Sequence, residues 1–135
     1  MRLPRIFTPR TEVSAHCDLP CGVYDPAQAR IEAESVKAIA EKYQANTDPE
    51  FRTRAILIKE QRAELVKHHL WVLWTDYFKP PHFEKYPQLH TLFNEATKLA
   101  GGGGGTKAVM DAEVADQLLA KIDEIAEIFW ETKKA

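Results

Sequence analysis

Four stretches in which apolar residues recur at helical spacing, separated by prolines and glycines, constrain most strongly how this chain can fold. Apolar residues every three or four positions form one side of an α-helix, and that side must be buried against another element. Asp25-Pro26 and Asp48-Pro49 each pair a capping acid with a proline at the first helical position. The chain has 135 residues, the size of a single domain. These features predict an all-α fold, an antiparallel four-helix bundle.

Proline and glycine clusters set the expected ends of these helices. Lys79-Pro80-Pro81 should end the second helix, because proline has no N–H to donate and disfavours helical geometry in the residue before it. Gly101–Gly105 should end the third, and five glycines in a row predict a flexible connector. The four predicted helices begin after Asp25, span about Pro49 to Phe78, begin near Tyr86-Pro87, and span about Lys107 to Thr132. The inner side of the fourth is expected to carry Val114, Leu118, Ile122, Ile125 and Phe129.

Charge and hydropathy exclude two classes of partner. The net charge is −2, so the chain has no basic excess with which to bind nucleic acid. No stretch approaches the roughly 20 consecutive apolar residues of a membrane span. The sequence therefore predicts a soluble protein that binds neither nucleic acid nor a membrane.

The first 15 residues differ from the rest of the chain. They carry a net charge of +2, whereas the remainder carries −4. The segment lacks the apolar stretch of a secretory signal, so a cytoplasmic location is expected. It ends in Val13-Ser14-Ala15, small residues that processing peptidases accept. On composition alone, residues 1–15 are equally compatible with a cleavable leader and with a disordered tail.

Residues 16–24, His16-Cys17-Asp18-Leu19-Pro20-Cys21-Gly22-Val23-Tyr24, contribute to no predicted helix and are called the hook below. They contain both cysteines of the chain, too few for a disulfide framework. Two thiolates and one imidazole are soft or borderline ligands, suited to zinc, copper or nickel. A structural zinc site takes four side-chain donors, and the hook offers three.

Cleavage after Ala15 would complete the donor set. His16 would then provide a free α-amine, which can join the deprotonated Cys17 amide nitrogen and the thiolates of Cys17 and Cys21 in a planar N2S2 set. The His16 ring would remain available as a fifth, axial ligand. Planar coordination favours nickel or copper over zinc, whose filled d shell has no such preference.

The hook resembles that of the nickel superoxide dismutase family, whose members mature by N-terminal processing. The resemblance extends over nearly the whole chain from His16. The segments that carry it are residues 16–26, 58–65, 76–87 and 128–135. The sequence departs from the family at Gly101–Gly105, where a polar connector is expected.

The resemblance implies an enzyme, a superoxide dismutase that converts superoxide to dioxygen and hydrogen peroxide while nickel cycles between Ni(III) and Ni(II). It implies one nickel ion per subunit, held by His16, Cys17 and Cys21, and a homohexamer of four-helix bundles. It also implies a peptidase that removes residues 1–15, leaving a domain of residues 16–135 with the hook at 16–24 and the bundle at 25–135.

Residues around the metal are assigned by the same resemblance. Tyr24 is expected at the substrate side of the metal with Tyr77 behind it, and is counted with the three ligands as catalytic. Glu32 and Arg62 are expected to hold the His16 ring, as a ligand imidazole generally requires. The remaining supporting positions are Asp18 and Pro20, with a cis peptide bond before Pro20.

Other interpretations of these residues stay open. The hook could hold nickel or copper for delivery, which would make the chain a metal carrier, or it could be vestigial on an interaction module. No metal is assigned to the other histidines, which are expected at the surface, in the core or at interfaces: His68, His69, His82 and His90. The tryptophans are expected in the core or between subunits: Trp71, Trp74 and Trp130.

Overall fold

The computed structural model describes residues 21–134, and within them it contains helices and no strands. The elements are α1 (Ala27–Gln44), α2 (Pro49–Val72), a π-helical turn (Leu73–Tyr77), α3 (Pro80–Lys85), α4 (Leu89–Leu99) and α5 (Ala112–Lys134). The predicted all-α bundle of four long helices, here α1, α2, α4 and α5, is confirmed, and α3 is a short addition to it. Among the described residues, no helix is both long enough and apolar enough to cross a membrane.

Each long helix packs against two others, so the four close into a bundle. α1 contacts α2 and α5, and α4 contacts α5 and α2. Ion pairs show that α1 and α5 run in opposite directions, because Arg30 pairs with Asp123 and Lys37 with Asp116. The enclosed core is formed by the apolar sides of the helices, among them Val66, Leu70, Leu89, Leu118, Ile122, Ile125 and Phe129.

The two prolines after α2 start a helix as well as ending one, and this additional helix, α3, was not predicted. Regular helix ends at Val72, and the π-helical turn continues it to Tyr77. Phe78 then adopts extended backbone, and α3 begins at Pro80. Proline at the first helical position has its φ angle already set, and its missing N–H would have no partner there. His82 contributes to this start, since its Nδ1 accepts a hydrogen bond from the Lys79 backbone N–H at 3.1 Å.

The glycine run is a packed turn, so the prediction of a flexible connector is wrong. Gly101 and Gly105 are buried. The Thr106 N–H donates to the Leu99 carbonyl at 2.7 Å, and the Lys107 N–H donates to the Gly101 carbonyl at 3.1 Å. The run therefore folds back over the end of α4, and α5 begins at Ala112 rather than near Lys107.

A buried lysine fixes the chain that follows the glycine run. Lys59, on α2, is 2% exposed, and its Nζ donates to the carbonyls of Lys107 at 3.1 Å and Val109 at 2.8 Å. Burial lowers the pKa of this ammonium, because the charged form loses its hydration. Two carbonyl groups thereby gain a hydrogen-bond donor, and the entry to α5 is tied to the middle of α2.

Candidate metal centre

The C-terminal part of the hook leads into α1 and presents a thiol at the surface. Cys21 is exposed, and its Sγ accepts a hydrogen bond from the Val23 N–H at 3.4 Å. Gly22 has a φ of 73°, a left-handed conformation that residues with a Cβ adopt only with strain. The predicted site residues His16, Cys17, Asp18 and Pro20, and the predicted cis bond, lie outside the described residues.

A cleft adjoins the hook one residue after Cys21, at Gly22. Gly22 and Tyr24 border it from the hook side. The other residues that line it come from the π-helical turn, from the start of α3 and the residue before it, and from the end of α5: Asp76, Tyr77, Lys79, His82 and Lys133. Two lysines against one aspartate give the cleft a positive balance, which favours a small anion.

The chain places Tyr24 and Tyr77 together at this cleft. Their ring centroids are 5.6 Å apart and the planes are tilted by 58°. Tyr77 is the last residue of the π-helical turn, in which the Phe78 N–H donates to the Leu73 carbonyl at 2.9 Å, five residues back. Single π turns of this kind occur frequently at functional sites.

Tyr77 is held on several sides. Its ring centroid lies 4.3 Å from that of Phe129 and 5.8 Å from that of His82, which is nearly parallel to it. The Lys133 Nζ lies 5.0 Å from the Tyr77 ring centroid, within cation–π range. The Tyr77 Oη lies 2.6 Å from the Thr132 Oγ1. The tyrosine is thus fixed against the last turns of α5.

Glu32 and Arg62 form an ion pair elsewhere in the bundle. The Arg62 Nη1 lies 3.1 Å and 3.3 Å from the two carboxylate oxygens of Glu32. The Arg62 Nε is buried and has no hydrogen-bond partner among residues 21–134. Fifteen residues separate Arg62 from Tyr77 along α2 and its π turn, a distance of about 20 Å. Of the predicted site residues that the structure describes, Tyr24 is therefore paired with Tyr77 and Glu32 with Arg62, but the two pairs lie apart.

His68, His69, His90 and the tryptophans form no metal site among the residues that the structure describes. His68 and His69 are partly buried neighbours on α2, with ring centroids 5.5 Å apart. His90 stacks on Phe83 at 4.1 Å, and its Nδ1 accepts a hydrogen bond from the Trp74 indole at 3.1 Å. Within residues 21–134, no three histidine, cysteine, aspartate or glutamate residues are grouped as metal ligands. The tryptophans are half-exposed rather than in the core: Trp71 at 41%, Trp74 at 42% and Trp130 at 48%.

Several residues around Tyr77 were not predicted as site residues, and Thr132 and Lys133 are the most distant of them in sequence. They come from the other end of the chain and contact Tyr77 only because α5 packs along the bundle. Thr132 and Lys133 follow Phe129 by three and four positions, so helical spacing places them on the same side as that buried ring. The signal available in the sequence was therefore their position, on the same side of the helix as the buried Phe129.

Comparison with known proteins decides the family. A family model described as nickel-containing superoxide dismutase matches residues 11–133 of the chain. The chain belongs to this family. A superoxide dismutase [Ni] from Streptomyces coelicolor is 63% identical over 98% of this chain and 99% of its own length. A superoxide dismutase [Ni] from Streptomyces seoulensis is 65% identical over the same shares.

A solved structure agrees with this assignment. The native nickel superoxide dismutase structure at 1.30 Å has a TM-score of 0.85 and 63% identity, and covers 89% of this chain and 100% of its own. The predicted family, enzyme class and nickel cofactor are confirmed. The metal-carrier alternative is not favoured by these relatives.

Proposed function

We propose that this chain dismutates superoxide at the hook, with nickel held by His16, Cys17 and Cys21 and with the adjoining cleft receiving the substrate. The observation that carries the proposal is local. The exposed Cys21 thiol immediately precedes Gly22, and Gly22 borders the cleft that contains Tyr24 and Tyr77. When bound, nickel would supply the redox chemistry by alternating between Ni(III) and Ni(II).

The chemistry of the donors fits this metal. Thiolates from Cys17 and Cys21 are soft ligands, which suit nickel better than carboxylates or water do. Together with the Cys17 amide nitrogen and the His16 α-amine, they bring negative charge to the metal and stabilise its higher oxidation state. The one thiol that the structure describes is exposed at the surface, where a metal ion can reach it.

The cleft residues would act on the substrate through charge and exclusion of water. Superoxide is a small anion, and the ammonium groups of Lys79 and Lys133 give the cleft a positive balance despite Asp76. The paired rings of Tyr24 and Tyr77 narrow the cleft beside the hook. We assign Tyr24 to the substrate side of the metal, with Tyr77 supporting it.

Removal of residues 1–15 is part of the proposal. The curated relatives are matched over 98% of this chain, whereas the solved native structure is covered completely by 89% of it. The uncovered share of this chain, 11%, is the size that residues 1–15 would have in a chain of 135. This supports a mature form that begins at His16, produced by a processing peptidase.

A chain that still begins at Met1 should be inactive, because an amide replaces the His16 amine and removes one nickel donor. The measurement compares nickel content and superoxide consumption of two purified chains, one beginning at Met1 and one beginning at His16. We expect activity only from the second. Equal unfolding temperatures of the two chains would show that the bundle is intact in both. Full activity of the longer chain, with its N-terminus verified by mass, would contradict the role of the amine.

The Glu32–Arg62 pair is proposed to hold the His16 ring, since the five residues from Cys21 back to His16 are long enough, about 17 Å when extended, to reach from the cleft toward the pair. Glu32→Gln and Arg62→Met should each lower superoxide consumption by about 10-fold while nickel remains bound, as is typical when a group that orients a metal ligand is lost. Glu34→Gln is the matched control, since Glu34 lies on the same helix and pairs with the exposed Arg30. Activities of all three variants equal to that of the parent would remove the pair from the site.

Assembly and location stay predictions. A homohexamer is supported by the half-exposed tryptophans, because large aromatic residues are enriched at subunit interfaces. Light scattering or mass photometry of the mature chain tests it. A cytoplasmic location rests only on the composition of residues 1–15.

A further inference from the structure

The Tyr77 hydroxyl is linked to the backbone of α5 through one side chain. The Tyr77 Oη lies 2.6 Å from the Thr132 Oγ1. The Thr132 Oγ1 in turn lies 2.6 Å from the carbonyl oxygen of Phe129, three residues earlier in α5. Both distances are those of hydrogen bonds between oxygens. The Thr132 hydroxyl therefore stands between the tyrosine and the helix.

The chemistry of these groups fixes the direction of both hydrogen bonds. A carbonyl oxygen can only accept, so Thr132 donates its single hydroxyl proton to Phe129. The Thr132 oxygen then has only lone pairs to offer Tyr77, so it accepts and Tyr77 donates. The phenolic proton of Tyr77 points toward α5. Toward the cleft, the same oxygen can present only lone pairs.

We propose that Thr132 is a positioning residue for superoxide dismutation. It holds the Tyr77 side chain at the cleft and keeps the phenolic proton in the hydrogen bond to the Thr132 Oγ1. Tyr77 then orders the cleft through its ring and its acceptor lone pairs and does not give a proton to the substrate. This role rests on the proposed function, because it assumes that turnover takes place at the cleft beside Tyr24 and Tyr77.

Three substitutions test the role. Thr132→Val keeps a similar shape and removes the hydroxyl, and Thr132→Ser retains the hydroxyl. Thr53→Val is the matched control, since the Thr53 Oγ1 also donates to a helix carbonyl, that of Pro49 at 2.9 Å. We expect Thr132→Val to lower kcat/KM about five-fold, the effect of one lost hydrogen bond. Thr132→Ser and Thr53→Val should stay close to the parent.

A double substitution separates positioning from a general structural effect. If Thr132 acts through the Tyr77 hydroxyl, adding Thr132→Val to Tyr77→Phe should cause no further loss, since the bond is already absent. Ultraviolet resonance Raman spectra of the nickel-loaded proteins give a readout other than activity. The tyrosine hydrogen-bond signal that disappears in Tyr77→Phe should change in Thr132→Val and be restored in Thr132→Ser.

Different results would contradict the role of Thr132 and the proposed function. Equal activity and unchanged tyrosine spectra in Thr132→Val would overturn the role of Thr132 alone. Additive losses in the double variant would overturn it as well, because they would indicate an effect independent of the Tyr77 hydroxyl. A parent chain that binds nickel but consumes no superoxide would instead overturn the proposed function, and this role with it.

Discussion

Replacing Cys21 by serine should abolish superoxide consumption and nickel binding while leaving the helices intact. A serine oxygen is a harder and far less acidic donor than a thiol, so it neither binds nickel comparably nor stabilises its higher oxidation state. The fall in superoxide consumption should exceed about 100-fold. Substitutions of residues that only support a metal ligand typically cost about 10- to 100-fold. Nickel content by elemental analysis and superoxide consumption are measured on the same preparation.

Cys17→Ser is expected to behave in the same way, because the two thiolates are proposed as equivalent donors. The fold is the control for both variants. Cys21 is exposed and lies before α1, outside the buried core, so the unfolding temperature of the metal-free variants should match that of the metal-free parent. Nickel retained at full stoichiometry in either variant would mean that the metal is held elsewhere.

Gly105→Ala should destabilise the bundle more than a glycine-to-alanine substitution at any other position of the glycine run. A Cβ at this position would lie closer than 3.0 Å to the carbonyl oxygens of Lys98, Leu99 and Gly101. These are backbone atoms of the end of α4 and of the turn itself, so they cannot move aside as a flexible side chain can. The cost should be near the upper end of about 1–3 kcal/mol, equivalent to a fall of roughly 10 °C in Tm.

Gly103→Ala is the matched control for this prediction. The added Cβ would meet no atom within 4 Å, and Gly103 is exposed. Its Tm should stay close to that of the parent. Thermal unfolding of both variants, metal-free and at one concentration, gives the comparison. Equal Tm values would show that the turn after α4 is as flexible as its composition alone suggests.

The long helices were predictable because their signals are local. The acid-proline pairs at the starts of α1 and α2 and the apolar stripe of α5 each lie within one stretch of chain. Gly105 was misjudged for the opposite reason. Glycine permits flexibility, but here its missing Cβ permits close packing against Leu99 and Gly101, and sequence composition does not distinguish these two uses.

The site could be predicted only in part, for a similar reason. The hook concentrates its metal donors within a few residues, so the pattern alone indicates a soft-metal site. Thr132 and Tyr77 are 55 positions apart, and their contact depends on where the last turns of α5 lie relative to the π-helical turn. Helical spacing gives the side of α5 on which Thr132 lies but not the residue that it meets across the bundle.

The π-helical turn at Leu73–Tyr77 has a consequence for how the chain tolerates change. One extra residue in a regular helix would rotate everything after it by about 100° and pull the downstream side chains off their partners. A π turn absorbs one such residue locally. α2 can thus keep its contacts in the bundle while Tyr77 is aimed separately at the cleft. Deleting a single residue from this turn would re-aim Tyr77 together with Phe78, which is buried in the core, so the same five residues set the direction of the site and the packing at this end of the bundle.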